Sequence, residues 1–312
     1  MVNKLSKSAQ LQRFCSVTNA TTDEAQTYLK VHNNRLEAAI DAYLTDQTNL
    51  AHLPRLTAQQ EKAVRAQLNA LFDKYKGAYN PCLCMTDDDE PDLMASEGAL
   101  AMLQDLGIDP ASVAVLPLSY YLNAPTLGQF TRSDYTEGWL RLGVGATTQG
   151  PLTHDILLAQ QKEAVARMME TFAQDGPVLP LYKTPSPPSK KGLYTTVYEY
   201  TFAFARGEGQ KNLGLDMALA FWDLLMPYAP SYGANGSRAS AGPPSFSPAQ
   251  FEMWKRFLTE ASQLRVISKD TWSQFLEFTR EIDPAFSNHD FEAAWPSVID
   301  EFVGWAQEQK KM

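Results

Sequence analysis

At 312 residues, with 44% hydrophobic residues and 6 tryptophans, the chain has the length of about two domains and enough apolar surface to fill a substantial core. A formal charge of −9 and a pI near 5.0 argue against nucleic acid or anionic membrane as the main partner, since both would be repelled, and favour a partner with a basic patch. No apolar run reaches the length of a membrane span, and "MVNKLSKSAQLQRF" lacks the apolar centre of a signal peptide, so a soluble intracellular protein is expected.

Residues 8 to 45 are predicted to form three short helices, "SAQLQRFCSV", "TDEAQTYLKVH" and "RLEAAIDAYLT". Thr21 with Glu24, and Asn34 with Glu37, have the spacing of capping boxes that open the second and third. Leu11, Phe14, Val17, Ala25, Leu29, Leu36, Ala39, Ile40 and Tyr43 are the apolar positions such a bundle would bury, a small core that is marginal by itself. The bundle is assigned to residues 1–46, a polar linker to 47–56, and a larger domain to 57–312.

Helical periodicity dominates that larger domain, with no convincing alternating strand. Its predicted helices, in chain order, are "AQQEKAVRAQLNALFDKY", "SEGALAMLQDLG", "ASVAVLPLSYYLN", "RSDYTEGWLRLG", "THDILLAQQKEAVARMMETFAQ", "TTVYEYTFAFAR", "GLDMALAFWDLLM", "PAQFEMWKRFLTEA" and "KDTWSQFLEFTREI". Two stretches rich in Pro, Gly and Ser, 175–192 and 229–248, cannot bury enough apolar surface to hold one conformation and are expected as mobile surface loops. The fold class is all-α.

The last helix, in "AWPSVIDEFVGW", is expected to start at Pro296, where a missing N–H costs nothing, leaving Ala294 just outside. Val298, Ile299, Phe302, Val303, Trp305 and Ala306 fall on one face at the spacing of a buried stripe. Ser297, Asp300, Glu301, Gly304 and Glu308 occupy the other. Pro296 and Gly304 stand four residues either side of Asp300, so no cation within the helix can pair with it. Taken alone, that pattern describes an ordinary solvated acid.

Catalytic chemistry is not visible. Counting a calcium loop from Asp87 in "TDDDEPD" puts Asp92 at the turn glycine and Gly98 at the bidentate glutamate, so the run fails as a calcium site and fits a degenerate EF-hand or a plain acidic loop. Three cysteines, Cys15, Cys82 and Cys84, are odd in number and lack zinc spacing, which favours a reducing compartment. His32, His52, His154 and His289 are scattered and pair with no nucleophile motif. Neither a GxSxG elbow nor a phosphate-cradling glycine loop is present. No metal and no cofactor is expected.

Four blocks carry the reading further: "IDPASVAVLPLSYYL", "YTFAFARGEGQKNLGLDMALAFWDLL", "ISKDTWSQFLEF" and "AAWPSVIDEFVGWAQ". In this order and spacing the chain resembles the defective-in-cullin-neddylation family, over most of residues 90 to 308, with Pro/Ser-rich insertions suggesting a fungal-type member. The N-terminal bundle stands where many members carry a ubiquitin-associated-like domain, and the larger domain where they carry a potentiating-neddylation domain with degenerate EF-hand-like helix pairs.

The resemblance implies a non-catalytic scaffold for attaching a ubiquitin-like modifier to a cullin, in the cytoplasm and nucleus. Its Asp–Ala–Asp patch, which contacts the cullin's C-terminal winged-helix region, maps onto Asp270, Ala294 and Asp300, so that a basic cullin surface would supply the partner Asp300 lacks in its helix. Its apolar pocket, which takes the acetylated N-terminus of the conjugating enzyme, maps onto Val115, Leu118, Leu122, Phe130, Phe204, Phe221 and Leu224; the pattern of these seven alone describes plain core. The cullin's RING subunit is the implied co-activator. In the bundle, "SVTNA" occupies the loop by which such domains bind ubiquitin, leaving open whether it binds ubiquitin or the modifier, binds weakly, or is structural. Two other readings stand beside this one: a ubiquitin-binding adaptor without neddylation activity, and an enzyme using Cys82 or Cys84 as an activated thiolate.

Overall fold

Three aromatic rings hold the N-terminal bundle together. In the computed structural model, which describes residues 7–18, 20, 22–32, 34–50, 56–77, 92–146, 152–179, 191–207, 209–233 and 246–310, helices α1 (Lys7–Thr18), α2 (Thr22–Val31) and α3 (Leu36–Leu50) converge on Phe14, Tyr28 and Tyr43. Their ring centroids lie 5.2 to 6.2 Å apart, with Ala20, Ala25, Leu29 and Ala39 buried around them and Leu11, Leu36 and Ile40 partly buried.

The bundle departs from expectation in three places. Val17 is 54% exposed instead of core, because α1 ends one residue later and the chain turns where the Thr18 hydroxyl accepts the Ala20 amide. Asn34 is not a helix cap: it takes φ 56 and donates its amide to the Leu29 carbonyl at 2.7 Å, while Arg35 provides the first carbonyl of α3. Asn tolerates this left-handed region better than most residues. Helix α3 also continues to Leu50, into the stretch expected as linker. The Thr21–Glu24 box lies outside the described residues.

The chain divides into two compact units, one of Met1–Pro110, Leu118–Met168 and Pro177–Gly192, the other of Ala111–Pro117, Met169–Gly176 and Leu193–Met312. Beyond the bundle, the first holds α4 (Ala58–Gly77), α5 (Ser96–Leu106) and α7 (Arg132–Arg141); α6 (Val115–Tyr121) and α8 (His154–Ala173) give residues to both. Helix α6 is shorter than predicted, because a start at Ala111 would set Pro117 inside the helix, against the carbonyl four residues back. Sequence alternation could not reveal the strands, which are two residues long: β1 (Leu93–Met94) pairs antiparallel with β2 (Phe130–Thr131). Each strand lies between two helices, so α4–β1–α5 and α6–β2–α7 are a pair of EF-hand-like units joined at their loops. Gly98 permits the close approach of α4 and α5, since a Cβ there would lie 2.5 Å from the Tyr75 carbonyl oxygen.

Arg132, the first residue of α7, ties the loops of these units. It donates to the carboxylates of Asp92 and Asp73 and to the Asn69 carbonyl, and its guanidinium lies 4.6 Å from the Phe72 ring centre. Lys76 reaches Asp92 as well, at 2.7 Å.

The second unit is built on α9 (Leu193–Ala205), α10 (Leu215–Leu225), α11 (Pro248–Arg256), α12 (Lys269–Glu281) and α13 (Ser297–Gln309). Here β3 (Leu213–Gly214) pairs antiparallel with β4 (Val266–Ile267), repeating the helix–strand–helix plan. The predicted helix at 248–261 passes into a π turn over Phe257–Ala261. Trp222, Trp254, Trp272 and Phe275 stack in the centre, with centroids 4.6 to 5.7 Å apart. Both Pro/Gly/Ser-rich stretches are fastened at their described ends, by bridges of Pro177 to Gly192 and of Tyr232 to buried Phe246. Among the described residues no helix is long and apolar enough to cross a membrane.

Two measurements test these junctions. The Tyr198 hydroxyl donates to the Trp272 carbonyl and accepts the Trp222 indole N–H, both at 2.8 Å in a buried setting. Tyr198→Phe strands both groups and should lower the unfolding free energy by about 1–3 kcal/mol in urea melts; an unchanged midpoint would count against the network. Asp92 is held down to about 2, first by its hydrogen bond from Arg132 and then by Lys76. A carboxylate with its folded pKa depressed stabilises fully above its unfolded value, about 4, and loses that contribution as pH falls through the folded one. Asp92→Asn should therefore flatten the loss of stability between those two pH values, read from urea midpoints across the range.

Candidate functional site

The start of α12 is set by local chemistry. Ser268 takes an extended conformation and its hydroxyl accepts the Thr271 amide at 3.0 Å, an N-cap. Immediately before it, Ile267 is held in register with Leu213 by the β3–β4 pair. Two residues into the helix, Asp270 sits exposed in the first turn, where a negative charge complements the helix dipole. Trp272 anchors that turn by burying its indole and donating Nε1 to the Tyr198 carbonyl at 2.9 Å.

The chain between α12 and α13 is ordered by side chains bonding to backbone. Asp283 accepts from the amides of Ala285 and Ser287 at 2.7 and 3.0 Å, and the Ser287 hydroxyl with these amides holds its carboxyl below the usual range. Asn288 accepts the Asp283 amide at 2.9 Å and donates to the Glu281 carbonyl at 2.7 Å. Phe286, at φ 58, is buried edge-on against Phe302 at 5.4 Å, and its carbonyl accepts from Gln307 at 2.8 Å. A phenylalanine in the left-handed region is strained, and the burial of its ring is what holds it there.

This loop delivers His289 to the first turn of α13. The imidazole, its side chain 2% exposed, places Nε2 2.7 Å from Oδ1 of Asp300, which keeps 29% of its side chain open to solvent. Phe278, Phe291 and Trp295 surround the ring at 4.7 to 6.0 Å. Asp300 therefore does have a partner inside the chain. The helix supplies none, as its spacing indicates, but the preceding loop does. Nothing in the sequence signals this pair, since eleven residues and a loop without periodicity separate the two.

Ala294 is exposed in the bend before α13, and the buried face of that helix is Val298, Ile299, Phe302, Val303 and Ala306, with Trp305 at its margin. Asp290, Glu292 and Glu301 are exposed in the same segment, beside a half-exposed Phe291. Among the described residues no cation pairs with Asp270, Glu292 or Glu301. The site is an acidic face with one apolar ring on it, suited to a basic partner.

The seven expected pocket residues are distributed between the units. Leu118, Leu122 and Phe130 lie in the first, all buried, with the Leu122 amide bonded to the Leu118 carbonyl one turn earlier and Phe130 in β2 opposite Met94. Val115, Phe204, Phe221 and Leu224 lie in the second, where Phe204 and Phe221 are buried and Val115 and Leu224 half-buried. Phe204 stacks on Tyr200 at 5.1 Å.

A cleft of about 420 Å³ in the first unit opens between Arg65 and Arg132. It is no anion site, because Arg65 is paired with Glu61 and Glu137 and Arg132 with Asp73 and Asp92. Cys82, Cys84 and most of "TDDDEPD" lie outside the described residues.

The sequence is similar to known families and proteins. Residues 181–305 match the family model described as cullin binding, the segment that carries Asp270, Ala294, His289 and Asp300. Residues 8–49 match that of a UBA-like domain. The chain is 40% identical to a protein of Mycosarcoma maydis named defective in cullin neddylation protein 1, over 99% of this chain and 97% of that one. It is 30% identical to the Candida albicans protein of the same name, over 96% of each, and 28% identical to that of Cryptococcus neoformans var. neoformans, over 96% of this chain and 93% of the relative.

Proposed function

The chain belongs to the defective-in-cullin-neddylation family, and from that premise we propose that it is a non-catalytic scaffold that brings a cullin and a neddylation conjugating enzyme together. The observation that carries the reading is the acidic face within the cullin-binding match, where Asp270 is exposed with no cation against it among the described residues and Asp300 presents a half-open carboxylate. Asp270, Ala294 and Asp300 form the contact with the basic winged-helix region at the cullin C-terminus. Ala294, small and exposed, lets the partner's surface come close.

The second grip is for the acetylated N-terminus of the conjugating enzyme, the role that the family resemblance gives to Val115, Leu118, Leu122, Phe130, Phe204, Phe221 and Leu224. Acetylation matters because a free ammonium would have to shed its water to enter an apolar site, whereas an acetyl amide needs only a hydrogen bond or two. With both grips occupied, an encounter between two bodies becomes a nearly intramolecular transfer, and the chain accelerates the reaction by orientation alone. The thiol chemistry stays with the conjugating enzyme, and the cullin's RING subunit acts beside it.

A ubiquitin-binding role for the N-terminal bundle has one observation in its favour: Val17 and Leu44 are 54% and 44% exposed, apolar side chains open to a partner.

The test is modifier transfer to a cullin, reconstituted with and without the full chain and with acetylated or unacetylated conjugating enzyme. Asp300→Arg should abolish cullin binding and stimulation, at a cost of about 1–3 kcal/mol in stability because the buried His289 imidazole loses its acceptor, and native binding should weaken as salt is raised. Undiminished stimulation by that variant would refute the acidic contact; equal stimulation with both forms of conjugating enzyme would refute the pocket.

A further inference from the structure

His289 is a buried polar ring in an aromatic setting, and its placement is not explained by packing. Phe278, Phe291 and Trp295 enclose it, an environment in which an apolar ring would avoid the desolvation that imidazole incurs. What imidazole adds is one bond, from Nε2 to Oδ1 of Asp300 at 2.7 Å. The loop that precedes the histidine is held by the Asn288 bonds to Asp283 and Glu281 and by the Gln307 bond to the Phe286 carbonyl.

We propose that His289 is a positioning residue for the cullin contact, binding one carboxylate oxygen of Asp300 so that the side chain is fixed before the partner arrives. The inference rests on the reading of Asp300 as a cullin-contacting residue. A free aspartate samples several rotamers and must give them up on docking, whereas one whose Oδ1 is already bonded has little left to lose. The neighbouring Glu301 is exposed and has no hydrogen bond to its side chain among the described residues, so the same helix carries one preset acid and one free acid.

The experiment titrates the full chain against the isolated C-terminal winged-helix region of a cullin, by calorimetry, for His289→Ala, His289→Gln, Asp300→Ala, Asp300→Arg and the double variant His289→Ala with Asp300→Ala. His289→Ala should weaken binding about tenfold, and His289→Gln, whose amide nitrogen can take the place of Nε2, should stay within about threefold of the native chain. In the Asp300→Ala background, which lacks the acceptor, His289→Ala should cause no further loss, since a residue that acts only through Asp300 has nothing left to position. A purely structural role would instead weaken binding equally in both backgrounds, and that result overturns the proposal. So does native affinity in His289→Ala, or a loss in His289→Gln equal to that in His289→Ala. If His289→Ala binds normally while Asp300→Arg does not, the positioning role alone falls; if Asp300→Arg also binds normally, the acidic contact falls and takes the role with it.

Discussion

The acidic face of the second unit depends on a reciprocal bond between two buried aromatic residues. Trp272 donates its indole to the Tyr198 carbonyl, and Tyr198 returns its hydroxyl to the Trp272 carbonyl. Because Trp272 lies two residues after Asp270, this pairing fixes the first turn of α12 against α9 and with it the place of the acid. The indole of Trp222 on α10 closes the network by donating to the same hydroxyl. Three helices are thus locked by bonds made in a dry interior, where an unmet donor or acceptor is costly and the alternative arrangements are correspondingly few. The β3–β4 bridge and the Ser268 cap then need only set the register of the chain entering α12.

Both units use one construction, paired helix–loop–helix elements joined by a two-residue antiparallel bridge. In the first unit the described part of the loop region is held by ion pairs. Arg132 spans Asp73 and Asp92, and Lys76 adds a second cation to Asp92. A fixed guanidinium with several donors can tie two carboxylates and a carbonyl at once, which a flexible ammonium does less well. The same pairing explains why the arginine-lined cleft has no charge left to recruit an anion.

How much of this was legible in the sequence follows the range of each interaction. The stripe of α13 was legible residue by residue, because one buried face repeats every three or four positions and the core confirms Val298, Ile299, Phe302, Val303 and Ala306. The all-α class and most helices follow from the same signal. Strands of two residues carry no alternation, so β1 to β4 left no trace. The early start given to α6 failed because apolar periodicity outweighed the constraint of Pro117. Val17 has the right spacing for the bundle core but lies in the last turn of α1, where the chain turns toward α2, and spacing alone cannot show that. The assignment of the patch residues rests on resemblance to a family alone, since an exposed acid has no periodicity to distinguish it.

Asp300 and Glu301 show what such a reading leaves out. They are adjacent, equally charged and on the polar side of one helix, and any account based on charge would count them together. The fold separates them. Asp300 lies over the buried imidazole of His289 and keeps 29% of its side chain open, while Glu301 stands in water. A solvated glutamate contributes to the long-range field that draws a basic partner in, an effect weakened by salt. A carboxylate fixed by a buried donor has one oxygen committed and the other available in a set direction, which favours a specific short contact over general attraction. On the proposed reading this division of labour lies in the loop that brings His289 to Asp300, so a change in the Asp283–Asn288 turn that displaces the imidazole would reach Asp300 without touching either acid.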